Sequence, residues 1–138
     1  QVLDIESEGQ TISHEQLKQL HNQKTGALIQ CALLLGAVQS TNYHEIQPGL
    51  VKLGELIGLA FQVHDDILDI EGSTETLGKP QGSDLDLDKS TYPKLLGLEE
   101  AKNYRDSLIS QAHKELQELP IDSPFLSQLI DYIGQRKH

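Results

Sequence analysis

The chain has 138 residues, a formal charge of −10 and 37% apolar residues, which fits one domain of ordinary hydrophobicity. Its 11 Lys and Arg against 21 Asp and Glu argue against a nucleic-acid binder, because a phosphate backbone calls for a basic face. No run approaches the roughly 20 apolar residues that span a bilayer, no signal pattern opens the chain, and Cys31 stands alone in "ALIQCALLLGA", so a cytoplasmic location is expected. An acid surplus suits divalent cations, which can carry an anionic substrate that the bare protein would repel. The start "QVLDIESEGQT" has no Met, in a chain with none anywhere, and we expect a piece of a longer polypeptide.

Residues 1–12 read as an entry loop. Ser13 with Gln16 forms a capping-box pattern, which predicts a helix from His14 to about Asn22. From His21 to Gln39 apolar residues fall near helical period but on more than one face, as in a helix buried in a bundle. The loop "STNYHEIQPG" follows, then a long helix from about Leu50 to Ile70. Gly72, Gly78, Pro80, Gly82 and Pro93 make "EGSTETLGKPQGSDLDLDKSTYP" a long loop. Beyond it Ala101, Tyr104, Leu108, Ala112 and Leu116 mark a helix, and Ser123 before Pro124 starts the last one, with Phe125, Leu129, Ile130 and Ile133. No strand pattern competes, so the expected fold is all-α.

On the long helix Gln62, Asp65, Asp66 and Asp69 are related by steps of three and four and share one strip. Carboxylates at the edge of an apolar surface repel one another and lose hydration unless a cation meets them. Near a helix C-terminus each also opposes the macrodipole by roughly 0.3–1 kcal/mol. Mg²⁺, a hard cation that keeps several waters beside one or two carboxylates, suits the strip better than a merely solvated acidic helix end would. Gly58, one step of four before Gln62, leaves room for a backbone or a ligand to approach. Lys24 beside Thr25, and Lys79 and Lys89 in the long loop, supply what a diphosphate needs once Mg²⁺ has neutralised part of its charge. Each lysine taken singly reads as a solvated surface residue; their combination carries the reading.

Two other patterns fail. "GSTETLGKP" puts five residues between Gly72 and Gly78 where a P-loop has four, and Pro80 stands where Ser or Thr should hold the metal. "DLDLDK" resembles an EF-hand front, yet Lys89 replaces the turn glycine and Leu95 the bidentate Glu. The histidines show no ligand spacing.

Taken together, "HNQKTGALI" (21–29), "GLAFQVHDDILD" (58–69) and "TLGKPQGSDLDLDKSTYP" (76–93) resemble the second half of the trans-polyprenyl diphosphate synthases, nearest to the bacterial farnesyl diphosphate synthases, or geranyltranstransferases. The likeness runs from about His14 to the C-terminus. It implies an all-α isoprenoid-synthase helical bundle of which residues 1–138 are roughly the C-terminal half, usually a homodimer. It also implies Mg²⁺-dependent condensation of isopentenyl diphosphate with an allylic diphosphate, dimethylallyl or geranyl, to geranyl or farnesyl diphosphate. By the same resemblance Asp65 is the direct Mg²⁺ ligand, with Asp66 and Asp69 acting mainly through metal-bound water. Lys24, Thr25, Gln62 and Lys79 hold the allylic diphosphate, Lys89 is a further contact, and Lys24, Asp65 and Lys79 bear on catalysis. The family uses two aspartate-rich motifs and only one is present, so we expect the first in a missing N-terminal half and no catalysis by these residues alone.

His64 stands where the family pattern has Gln, a change expected to alter little. Arg136 and Lys137 are taken as solvated, with a lesser part in closing the diphosphate site. A non-catalytic diphosphate-binding partner subunit, or a terpene cyclase of the same fold, is the competing reading; "KTG" and "GKPQGSD" speak against the cyclase. Apolar faces at 21–39 and 50–70 exceed what so few helices can cover, which predicts association of the isolated chain.

Overall fold

A computed structural model describes residues 12–75 and 90–137, and every regular element among them is helical. The first helix, α1 (His14–His21), is closed by the expected capping box: Ser13 Oγ accepts from Gln16 N–H at 3.2 Å and Gln16 Oε1 accepts from Ser13 N–H at 2.9 Å. Where two separate helices were expected, α1 continues through a π-helical stretch, Asn22–Gly26, into α2 (Ala27–Ala37). The N–H of Ala27 reaches back five residues to the Asn22 carbonyl, so one extra residue is taken into the turn and the face of α2 is rotated relative to α1. Lys24 and Thr25 lie in that widened turn.

The central helix α3 (Tyr43–Glu75) has 33 residues, about 50 Å at 1.5 Å per residue. It corrects the expected span at both ends. Pro48 and Gly49 read as breakers, yet the helix runs through them: Pro48 lies in the second turn, where only the carbonyl of His44 loses its bond. Gly49 lies directly under Leu119, which a Cβ would overlap. At the other end α3 continues through Gly72, so Asp69 is not in the last turn and the macrodipole argument loses force. What remains of the case for a cation is the crowding of the three carboxylates and the burial of Asp66.

Leu50, Leu53, Ile57, Ala60, Val63 and Ile67 form the buried stripe of α3, none more than 2% exposed. Against it lies α5 (Leu98–Glu118), whose Ala101, Leu108, Ala112 and Leu116 are buried at steps of seven, four and four. Ile130 and Ile133 of α6 (Pro124–Gln135) close the same core, each fully buried aliphatic side chain contributing about 1.5–3 kcal/mol. A short helix, α4 (Tyr92–Leu96), begins at the last two residues of the expected loop. Gly97, with φ of +87°, ends α4 through its N–H to the Pro93 carbonyl and starts α5 through its own carbonyl to Ala101 N–H, both at 2.9 Å. A conformation with positive φ is one that few residues other than glycine adopt.

The expectation that 21–39 is buried fails for α2. None of its residues is buried, and Leu28 and Leu35 are 73% and 68% exposed. Among the described residues one side of α2 packs against α3.

Candidate active site

The site grows from the contact between the π-helical stretch and α3. A Cβ on Gly58 would come within 2.7 Å of the Cα of Gly26, and one on Gly54 within 3.0 Å of the Cα of Gln30. Two glycines on one face of α3 therefore let the backbone of the widened turn, at Gly26, and of α2, at Gln30, lie against it, the close approach that Gly58 suggested in sequence. The consequence is a polar chain across the joint. Thr25 Oγ1 donates to Gln62 Oε1 at 3.3 Å, and Gln62 Nε2 donates to Asp66 Oδ1 at 3.4 Å.

Asp66 is 7% exposed, and its other oxygen accepts the N–H of Tyr92 at 3.1 Å. Burial pushes its carboxyl up to about 6, against the pull of the Tyr92 and Gln62 hydrogen bonds and helped by the neighbouring charges of Asp69 and Asp65. His21 Nε2 stands 3.9 Å from the same oxygen. Tyr92 is fully buried, its ring meeting His14, His21 and Tyr104 with centroids 5.4 to 5.6 Å away, and that packing fixes the amide that Asp66 accepts. Burial raises the Tyr92 phenol, which stays neutral.

Asp65, one residue earlier, points elsewhere. Its side chain is 45% exposed and forms an ion pair with Arg136, 71 residues away. Arg136 is not the solvated residue expected from sequence: its side chain is 11% exposed and its guanidinium carbon lies 4.2 Å from the centroid of the Phe61 ring. Lys137 is exposed, as expected. The Arg136 carbonyl accepts from His64 Nε2 at 2.8 Å, and His64 Nδ1 meets Arg105 Nη1 at 3.1 Å. A guanidinium only donates and a carbonyl only accepts, so His64 carries its hydrogen on Nε2. Burial lowers its pKa despite the Arg136 carbonyl bond, and the Arg105 and Arg136 cations lower it further, keeping the ring neutral at pH 7.

Of the residues singled out in sequence, Thr25, Gln62 and Asp66 are joined directly, Lys24 is exposed on the turn that carries Thr25, and Asp69 is exposed one helical turn beyond Asp65. Lys79 and Lys89 lie outside the described residues. Sequence reasoning missed Tyr92 and Arg105 and gave Arg136 only a lesser part; nothing in their local pattern pairs them with residues 26 to 71 positions away.

Among the described residues no three His, Cys, Asp or Glu side chains stand close enough together to hold a metal ion unaided. A hard divalent cation that takes one or two carboxylates and otherwise water fits the set nonetheless. Asp65 already meets a cation, the guanidinium of Arg136, and Asp69 follows it by one turn with its side chain outward. Asp66 faces inward with both oxygens engaged. No helix among the described residues is long and apolar enough to cross a membrane.

A family model described as polyprenyl synthetase matches residues 1–121. The chain is similar to the farnesyl diphosphate synthase of Escherichia coli, 49% identical over 140 residues that take in 99% of this chain and 47% of that protein. It is 40% identical to the farnesyl diphosphate synthase of Bacillus subtilis over 138 residues, all of this chain and 47% of that protein. Among solved structures it resembles a geranyltransferase from Helicobacter pylori complexed with magnesium and isoprenyl diphosphate, with a TM-score of 0.77, 36% identity and coverage of 96% of this chain and 44% of that one. The chain thus spans about half the length of the curated relatives it matches. Its all-α fold and its "DDILD" strip agree with a family match over most of its length, and the chain belongs to the polyprenyl synthetase family.

Proposed function

We propose that this chain is the C-terminal part of a single polyprenyl synthase domain, and that the whole protein condenses isopentenyl diphosphate with dimethylallyl or geranyl diphosphate as a cytoplasmic homodimer. The observation that carries the reading is the polar chain from Thr25 through Gln62 to Asp66, set across a close backbone contact beside Asp65 and Asp69. It supports a binding site for a highly charged anion next to carboxylates, a combination that makes sense for a diphosphate accompanied by a divalent cation.

In this reading Asp65, supported by Asp66 and Asp69, holds Mg²⁺, which when bound offsets the negative charge that grows on a departing diphosphate. Lys24, Thr25 and Gln62 bind and orient the allylic diphosphate, with Lys79 and Lys89 as further contacts. The C–O bond of that substrate breaks and the electron pair leaves with the diphosphate. The alkene of isopentenyl diphosphate forms the new C–C bond, and the proton then lost passes to the released diphosphate, so charge and atoms balance. Apolar side chains of α2 and α3 exclude water, which would otherwise capture the allylic cation. Gln62 is held by Thr25 and Asp66 together, so its amide is oriented before substrate arrives.

The apolar face of α2 at Leu28, Leu35 and Val38 is suited to contact with the remaining length seen in the relatives. The test is a product assay on the complete polypeptide with isopentenyl and geranyl diphosphates and Mg²⁺. Chain elongation that is lost on chelation and on Asp65→Ala supports the proposal; normal turnover by Asp65→Ala sinks it.

A further inference from the structure

The last turn of the chain folds back onto α3 and fastens itself there twice. Phe61, His64 and Asp65 occupy one face of α3 at steps of three and one, and all three meet Arg136. The side-chain attachment is the guanidinium. It lies over the Phe61 ring, donates to the Phe61 carbonyl at 3.4 Å and pairs with Asp65. The backbone attachment is independent of that group, because the Arg136 carbonyl accepts from His64, whose opposite nitrogen is held by Arg105. Arg105 is itself steadied by Asp106, Nη2 to Oδ1 at 2.8 Å. Ser123 caps the start of α6 by accepting Leu126 N–H at 3.3 Å, and the Arg136 N–H closes its end on the Tyr132 carbonyl at 2.9 Å, so the segment arrives with a defined direction.

Resting on the reading of Asp65 as the metal ligand, we infer that the C-terminal turn is a latch: His64 and Arg105 position Arg136 so that its guanidinium occupies the Asp65 carboxylate, and a divalent cation binds there only by displacing it. A guanidinium cannot ligate a metal, and two cations sharing one carboxylate repel each other, so the ion pair and the metal complex compete. Half of the Asp65 side chain is open to solvent, which gives an incoming hydrated ion a way in. His64 is therefore a positioning residue acting through Arg136, a role that a Gln can also fill, since its amide offers one donor and one acceptor.

Mn²⁺, followed by electron paramagnetic resonance of the free ion, reports affinity without reference to turnover and is measured on the complete polypeptide. Asp65→Ala is expected to remove the strongest binding; unchanged Mn²⁺ affinity in that variant overturns the metal reading and the latch with it. Given that loss, Arg136→Gln is expected to tighten Mn²⁺ binding by about three- to fivefold, the upper part of the range for a partly exposed ion pair. His64→Phe should move it in the same direction and His64→Gln should stay within about twofold of the parent, on the same scale. Lys137→Gln removes the same charge from an exposed neighbour, and an equal tightening there would replace the latch by a net-charge effect. Unchanged or weaker Mn²⁺ affinity in both Arg136→Gln and His64→Phe overturns the latch while leaving the metal reading intact. A melting temperature for each variant separates these outcomes from unfolding, because a purely structural His64 would lower the melting point and leave the affinity of the folded protein where it was.

Discussion

Asp65 and Asp66 are identical side chains on consecutive residues of one helix, and they end in opposite surroundings. A step of about 100° turns Asp66 into the core, where a backbone N–H and an amide satisfy it, and leaves Asp65 at the surface against a guanidinium. The difference teaches that a cluster of acids in sequence is a set of separate sites in space. Burial pushes the Asp66 carboxyl up to about 6 and ties both its oxygens into the core, while exposure leaves Asp65 as the carboxylate that, in the proposed reading, exchanges one cation for another.

The sharpest way to separate the two is by activity. In the complete polypeptide Asp65→Ala is expected to lower prenyl transfer by about 100-fold or more, the scale on which a preorganised electrostatic contact acts, with little change in melting temperature. Asp66→Ala should lower both, since it strips Tyr92 N–H and Gln62 of their buried acceptor. A steady-state assay beside a thermal melt checks the pair.

Next in size is the joint that carries Gln62 to the site. Gly58→Val forces a side chain into the backbone of Gly26 and is expected to cost about 1–3 kcal/mol, or more if the turn cannot shift. Gly72→Ala, where a Cβ meets nothing within 4 Å, is the matched control and should be neutral or slightly stabilising. Urea unfolding of the two variants measures the contrast.

The pH dependence of stability isolates Asp66. Its folded carboxyl titrates near 6 against 3.8 for the reference value, so the native state keeps the proton longer than the unfolded chain does. The stability this contributes is full below the unfolded value and is lost as pH rises through about 6, in all on the order of 2–3 kcal/mol. Asp66→Asn should flatten that fall between about pH 4 and 6 in chelator-treated protein. Denaturant melts across that range report it, and an unchanged slope would mean that Asp66 is not the group responsible.

The smallest effect contrasts α2 with α5. Leu108 is 3% exposed and Leu35 68%, so Leu35→Lys should change the stability of this chain by no more than about 0.5 kcal/mol. It should also reduce self-association of the isolated chain, which light scattering reads directly. Undiminished association in Leu35→Lys would show that another surface drives it.

Much of the site was legible because helical spacing is a local rule. Steps of three and four put Gln62 and Asp66 together, Gly58 announced a close approach, and the capping box at Ser13 and Gln16 started α1 where it should. The extent of α3 was less legible. Pro48 and Gly72 lower local helix propensity, but the packing of α3 against α5 and α2 overrides a preference of about 1 kcal/mol for a glycine, and a second-turn proline loses a single hydrogen bond.

The sequence by itself determined the all-helical class, the pairing of Gln62 with Asp66 and the family whose motifs it carries, since each depends on residues within a few turns of one another. Only the tertiary structure decided which aspartate is buried, that α2 leaves an apolar face open, and that Arg136 lies on Asp65 with His64 beneath it. Those facts depend on helices far apart in the chain packing side by side, and periodicity carries no information about which helix the neighbour will be.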